Sequence, residues 1–195
     1  MAIKHFENSV SNSRGDRTLS VAGIAATESS GTYTPVVAYA GMMVVESALV
    51  PSSAFAGKKN PNTWYMVAAN ASTTIDDLYA CDPDVASFGT MGAFADGFGA
   101  NYYNLGKETL GVPQPAGEAT RYTKIVENGM YVWGDAWFST APSTNKFAVL
   151  NASGLWAPQA AAPDSGLYVE ILDSVSFTVG AYAGGTGYYC KVKVA

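Results

Sequence analysis

Charged residues are scarce in this chain of 195 residues, because Asp, Glu, Lys and Arg together make up only 14% of it. An ordinary soluble domain contains roughly 25%. A surface with so few charges must be covered by small polar residues or be partly buried against a partner. The composition therefore favours a subunit of an assembly.

Basic residues are especially few, and the formal net charge is −5 at neutral pH. The longest basic run is Lys58-Lys59. Affinity for nucleic acid comes largely from Lys and Arg side chains that neutralise phosphates, and anionic membrane surfaces attract proteins in the same way. The longest apolar stretch, residues 36–50, is interrupted by Gly41 and Glu46 and is too short to span a bilayer. We therefore expect no nucleic-acid partner and no membrane partner.

Histidine and cysteine are nearly missing. The only histidine is His5, and the only cysteines are Cys81 and Cys190. Catalytic triads and dyads need an imidazole between a nucleophile and an acid, and zinc sites need closely spaced ligands. The sequence also lacks a phosphate-binding loop, a dinucleotide fingerprint and a G-x-S-x-G motif. It predicts a protein that is not an enzyme, with no cofactor, no metal and two buried free thiols.

The densest acidic group consists of Asp76, Asp77, Asp82 and Asp84. One interpretation is a calcium site, since hard cations bind carboxylate oxygens. The other is that each acid acts locally, at the first turn of a short helix or in the Asp82-Pro83 turn. The glycine that an EF-hand loop needs after its acids is missing, which favours the local interpretation.

The pattern of apolar residues predicts a mainly β chain. Residues 64–68 form one short β-branched and aromatic run. Near the C-terminus, apolar residues alternate with serine and threonine, which predicts either a half-buried strand pair or one long strand, with a turn or bulge at Asp173-Ser174. The apolar positions of one parity are Val169, Ile171, Val175, Phe177 and Val179. Residues 180–187 are predicted to be a loop, and residues 188–194 a final strand. No helical periodicity extends beyond about two turns.

Composition along the chain divides it into two regions. Residues 1–34 are small and polar and are predicted to form an extended N-terminal arm. Residues 35–195 are predicted to form a β-rich body, either a β-sandwich or a β-barrel-like fold. A proline-rich piece at residues 112–118 marks where this body would divide if it contains two subdomains.

Asn128-Gly129 is a strong local turn signal, because both residues tolerate the positive φ angles of a type I′ turn. It predicts a hairpin between residues 121–126 and 131–133. In that register Lys124 faces Trp133, as a cation–π pair.

Aromatic residues are abundant, with twelve Tyr, eight Phe and four Trp. They suit a sugar-binding platform, a β core or a protein interface. The four tryptophans are Trp64, Trp133, Trp137 and Trp156. The glycine- and aromatic-rich residues 94–103 are too irregular for a strand, and we interpret them as a contact with another subunit.

Several short sequence stretches, spread over about residues 62 to 195, together resemble those of a known family. They are LYACDPD at 78–84, NYYNLG at 101–106, PQPAGE at 113–118, GDAWFS at 134–139 and YVEILDSVSFTVG at 168–180. They resemble the small proteins encoded beside the major capsid protein in many tailed phages, which act as head decoration or cement proteins. Such proteins sit outside the capsid shell and clamp neighbouring capsomers.

The resemblance implies a virion structural protein whose partners are the major capsid protein and other copies of itself in a symmetric array. Because no apolar signal segment follows Met1, we expect assembly in the host cytoplasm and a final position on the capsid exterior. The alternative is a carbohydrate- or receptor-binding β module of a phage tail or surface structure, which would use its Trp and Tyr side chains.

Overall fold

The computed structural model describes residues 6–8, 20–51, 53, 62–82, 114–179 and 182–195. These ranges are mainly β, which confirms the predicted fold class. Their strands are β1 (Phe6–Asn8), β2 (Ser20–Ser29), β3 (Thr32–Pro35), β4 (Met43–Leu49), β5 (Thr63–Ala68), β6 (Tyr79–Cys81), β7 (Thr120–Lys124), β8 (Met130–Gly134), β9 (Phe147–Leu150), β10 (Trp156–Gln159), β11 (Leu167–Val179) and β12 (Tyr182–Val194). Short 3-10 helices cover Ile75–Asp77 and Asp135–Trp137. None of the helices in the described ranges has the length and hydropathy needed to cross a bilayer.

Five strands close a small barrel. Their order is β2-β5-β4-β6-β7, and β7 pairs back onto β2. β2 and β5 run parallel, whereas the other neighbours run antiparallel. β3 continues from β2 as a hairpin through Ser30 and Gly31, which both have positive φ angles. The predicted barrel-like body is therefore present.

The barrel interior is narrow. Its buried cluster includes Ala25, Val44, Met66 and Tyr122. At Gly23 of β2 a β-carbon would overlap the Cγ of Met66 and would lie 3.0 Å from the Tyr122 ring. A residue larger than glycine would therefore not fit at position 23 of β2.

The other six strands form an antiparallel sheet in the order β1-β8-β12-β11-β9-β10. Its longest members, β11 and β12, have 13 residues each. The register shifts between Ile171 and Asp173, with Leu172 as the extra residue, so a bulge lies one residue before the predicted Asp173-Ser174 position and the strand continues through it. β12 begins at Tyr182, so the loop predicted for residues 180–187 is wrong from residue 182 onward.

The barrel and the sheet share one buried core. Met43 and Leu78 of the barrel side contact a cluster that contains Trp133, Trp156 and Val169 of the sheet. The two tryptophan rings meet edge to face, with centroids 5.4 Å apart. The chain passes from the barrel to the sheet between β7 and β8. A division of the body near residues 112–118 stays a prediction.

The prediction of an extended N-terminal arm is wrong for residues 20–34. Residues 20–34 belong to β2, β3 and the turn between them, and Ile24, Ala25 and Ala26 are buried. The small residues of β2 have the same composition as an exposed arm, so composition alone did not distinguish a barrel strand from an arm. Upstream of Ser20 the structure describes only β1, which pairs with β8; the remainder of residues 1–19 lies outside the described residues.

The predicted hairpin between residues 121 and 133 is wrong. A turn does exist, since the Gly129 N–H donates to the Val126 carbonyl at 3.0 Å. However, Asn128 has a φ of 61° and Gly129 has no positive φ, which is not a type I′ turn. β7 pairs with β6 and β2, while β8 pairs with β12 and β1. Lys124 accordingly lies over the ring of Tyr79, at 5.7 Å from its centroid, instead of facing Trp133.

Candidate interaction surface

Of the acidic residues that the structure describes, Asp77 accepts a local hydrogen bond, whereas the Asp82 carboxylate bonds to residues of β7. Asp76 and Asp77 lie in the 3-10 helix after Thr74, whose hydroxyl donates to the Asp77 carboxylate at 2.9 Å. Asp82 lies at the end of β6, and Asp84 is outside the described residues. The described part of the chain contains no group of three side chains that could hold a metal ion.

Asp82 connects β6 to β7. Its Oδ2 accepts hydrogen bonds from Arg121 Nη2 at 3.1 Å and from the Thr123 hydroxyl at 2.9 Å. The Arg121 Nε also donates to the Asp82 carbonyl at 3.1 Å. The side chains of Arg121 and Asp82 are 41% and 22% exposed. This arrangement fastens two neighbouring barrel strands, so it has a structural role.

Both cysteines are free and buried, as predicted. Burial raises the pKa of Cys81 to about 12, and the nearby Asp82 charge adds to this effect. Burial also raises the pKa of Cys190. Because the thiolate is the reactive form, neither residue is a nucleophile at neutral pH. His5 lies outside the described residues.

Most of the tryptophans belong to the core. Trp133 and Trp156 are fully buried, and Trp137 is 6% exposed, with its indole N–H donating to the Ala40 carbonyl at 2.8 Å. None of these three can form an open sugar-binding platform. Trp64 is half-buried against the barrel cluster.

Two tyrosines form the aromatic pair that is partly exposed on the barrel. The rings of Tyr33 and Tyr65 stack with centroids 4.6 Å apart and planes only 2° from parallel. The Tyr33 hydroxyl is also within 2.8 Å of the Ser47 hydroxyl. The sequence contains no signal for this pair, because it depends on the pairing of β3 with β2 and of β2 with β5.

A small apolar cleft lies where the barrel meets the sheet. Its walls include Val37, Tyr39, Met42, Trp137 and Gly154, and its volume is about 190 Å³. Sites for small molecules usually enclose roughly 300–1,000 Å³. The cleft is therefore smaller than a typical small-molecule site.

The hairpin of β11 and β12 extends beyond the rest of the sheet. β9 pairs with β11 only from Tyr168 to Glu170, and one more hydrogen bond joins the Ile171 N–H to the Lys146 carbonyl. The β11–β12 ladder nevertheless continues as far as Val179 and Tyr182. We call residues 173–179 of β11 and 182–186 of β12 the ribbon. Along residues 173–179, over about 23 Å at the rise of a β-strand, no strand that the structure describes pairs with the outer edge of β11.

The ribbon has few of the features that usually protect an exposed strand edge, namely one charge at Asp173 and the bulge at Leu172. Natural edges are covered, or carry Lys, other charges or Pro. Asp173 is the only charged residue from 173 to 190, and no proline occurs there. The bulged Leu172 at the base of the ribbon is 47% exposed. Because an isolated two-stranded ribbon is only marginally stable in water, this element is suited to contact with another protein.

The contact predicted for residues 94–103 lies outside the described residues. No protein-family model matches the chain, and neither a curated protein nor a solved structure matches it.

Proposed function

We propose that this protein is a non-enzymatic virion component that decorates a phage capsid and stabilises it by bridging neighbouring capsomers. The observation that carries the proposal is the ribbon, a two-stranded arm with a single charged residue that extends from a body with a continuous core. An arm of this kind allows a small subunit to reach a neighbour about 23 Å beyond its own sheet. The stretches between residues 62 and 195 that resemble decoration proteins support the same function.

The body is suited to transmitting force between the proteins that it joins. The barrel closes on itself, so its strands form a ring of backbone hydrogen bonds. The barrel and the sheet also pack through the cluster around Trp133 and Trp156. A clamp needs such a rigid connection because a flexible one would let the capsomers move apart. The low content of charge, 14%, fits a surface that is partly covered by the major capsid protein.

The proposal is tested on purified expanded capsids that lack the protein. Residues 175–187 are replaced by an Asn-Gly turn, so that Ser174 and Tyr188, which are paired in β11 and β12, close a short hairpin. We expect this variant to keep its fold but to lose the protection of capsids against heat and chelation. The control replaces the exposed Ala160, Ala161 and Ala162 with serine and should protect like the wild type. Equal protection by the ribbon-deleted protein would refute the proposal.

The N-terminal segment is tested separately. Deletion must stop before Ser20, because β2 is a barrel strand that pairs with both β5 and β7. We expect the protein without residues 1–19 to keep the barrel and to bind capsids more weakly in co-sedimentation. Unchanged binding would show that residues 1–19 do not contribute to capsid binding.

The alternative function, a carbohydrate- or receptor-binding module, has one favourable observation in the partly exposed pair of Tyr33 and Tyr65. A glycan array with wild type and Tyr65→Ala distinguishes the two. Tight glycan binding that Tyr65→Ala abolishes, together with no binding to capsids, would replace the proposed function with this one.

A further inference from the structure

The outer edge of β11 is a binding element in its own right. Every second residue of a strand edge presents a backbone N–H and a backbone carbonyl to the next strand. From Asp173 to Val179 none of the strands in the described ranges takes up these groups. The register shift between Phe177 and Val179 places its extra residue in β12, so β11 itself stays regular there. Strand addition is the recognition mode that such an edge supports.

Other edges of the fold are less suitable. β10, at one end of the sheet, contains Pro158, which cannot donate to a new strand. β3 ends in Pro35. The outer edge of β12 in the ribbon includes Gly184 and Gly185, and glycine weakens strand pairing.

The sequence of the β11 edge is self-complementary. Residues 175–179 read Val-Ser-Phe-Thr-Val, which has the same character in both directions. Antiparallel pairing of two copies about Phe177 places Val175 opposite the second copy's residue 179 and Ser176 opposite its residue 178. Apolar residues then meet apolar residues and hydroxyl residues meet hydroxyl residues, which is a favourable cross-strand pattern.

Charge favours the same register. Asp173 is the only charged residue of this edge. When the pairing is centred on Phe177, the two Asp173 residues lie about 26 Å apart, at the rise of a β-strand. That separation is well beyond the screening length of about 8 Å at physiological ionic strength. A register centred closer to Asp173 would bring the two carboxylates together.

We propose that two copies of this chain associate through antiparallel pairing of residues 175–179 of β11, centred on Phe177. The two ribbons then form one four-stranded sheet about a two-fold axis, so that the same surface is used by both copies. The inference rests on the proposed function in one respect, which is the place where the dimer acts. That place is the boundary between two capsomers. Association itself is measured in solution without capsids, so its failure is distinguishable from failure to protect particles.

The first test is sedimentation of the full chain and its charge variants. We expect a dimer for wild type and a monomer for Phe177→Lys and for Phe177→Glu, because like charges then meet at the two-fold axis. An equal mixture of these two variants should restore the dimer, and this result excludes simple misfolding of the ribbon. The control Thr186→Lys lies on the other edge of the ribbon and should remain dimeric. A monomeric wild type, a dimeric Phe177→Lys or a mixture that stays monomeric would each overturn the proposal.

The second test is disulfide cross-linking. Phe177→Cys should form a covalent dimer under mild oxidation, because residue 177 meets itself across the axis at a distance that a disulfide can span. Cys81 and Cys190 are buried and do not compete. The control Ser174→Cys lies opposite residue 180 of the second copy and should not cross-link. Equal cross-linking of the two variants, or no cross-linking of Phe177→Cys, would contradict pairing between copies.

Discussion

Replacing Gly23 with alanine should destabilise the protein, although the same change in most strands would stabilise it. Gly23 lies in β2 and pairs with Trp64 of β5 and Thr120 of β7. A β-carbon there would overlap Met66 Cγ and lie 2.9 Å from its sulfur. Met66 is 0% exposed, so its side chain cannot move into solvent.

Two opposing effects decide the magnitude. Removing the backbone freedom of glycine from a strand favours the folded state by about 0.5–1 kcal/mol. Inserting a methyl group into a filled core costs about 1–3 kcal/mol. Met66 Cγ lies close to the Met66 backbone, so it cannot move away unless that backbone moves as well. We therefore expect the steric cost to exceed the gain from the lost backbone freedom of glycine. The free energy of unfolding should fall by about 1–2 kcal/mol for Gly23→Ala.

A double-mutant cycle isolates the contact. Met66→Ala alone should cost about 2–5 kcal/mol through the cavity that it leaves. It also removes the Cγ and Sδ that meet the new methyl group, so Gly23→Ala should be neutral or stabilising in that background. The double variant should therefore be more stable than the sum of the single changes by about 1 kcal/mol or more.

Urea unfolding monitored by tryptophan fluorescence measures all four proteins, with equal m-values as the condition for comparing them. If Gly23→Ala is as stable as the wild type, or if the two changes are additive, the barrel interior is wider at this point than the structure shows. The explanation of why position 23 of β2 must be glycine would then be wrong.

Three further outcomes are expected. Asn128→Ala should lower the free energy of unfolding by about 1 kcal/mol because alanine resists the φ of 61°, whereas Asn128→Gly should match the wild type in urea unfolding. Gly129→Ala should cost about 1–3 kcal/mol in the same assay, for a steric reason, since its β-carbon would lie 2.7 Å from the Tyr131 ring; equal stability would refute this. Burial is the main cause that raises the pKa of Tyr79 from 10.0, and that of Cys81 from 9.0, to about 12. The folded state therefore retains protons that the unfolded state loses, and the free energy of unfolding should fall from pH 9 to pH 12; Tyr79→Phe should make the fall smaller, and a flat profile would contradict the burial.

Local patterns were enough to predict part of this fold. The alternation of residues 169–179 predicted the strand character of β11, with an irregularity one residue after the bulge at Leu172, because the period of a strand is visible within a few residues. The low number of cysteines in a chain of this length indicated free thiols. The β class followed from the same local alternation and from the lack of helical periodicity.

Which strands pair with each other was not predictable from the same local signals. The Asn128-Gly129 turn exists, but it docks on β12, where the Asn128 N–H donates to the Val192 carbonyl at 2.8 Å and the Val192 N–H donates to the Gly129 carbonyl at 2.9 Å. Ile125 then enters the shared core. These contacts separate β7 from β8, and they join residues more than sixty positions apart in the sequence.

The candidate interaction surface was missed for a related reason. A strand edge is open where the neighbouring strand ends. The sequence of β11 gives no information about how long the neighbouring strand β9 is. The glycines around residue 184 indicated a loop, although they lie in β12 of the ribbon.

The closure of the barrel has a consequence for the order in which the chain folds. β2 pairs with β7 through Ser20 and Thr123, which are about one hundred residues apart, and with β5 in a parallel arrangement. Contacts over such separations form slowly, because a long loop must close before they are gained. During synthesis β2, β4, β5 and β6 leave the ribosome before β7 does. The barrel therefore closes only after residue 124 has been made, and until then β2 and β6 each present an open edge to other nascent chains.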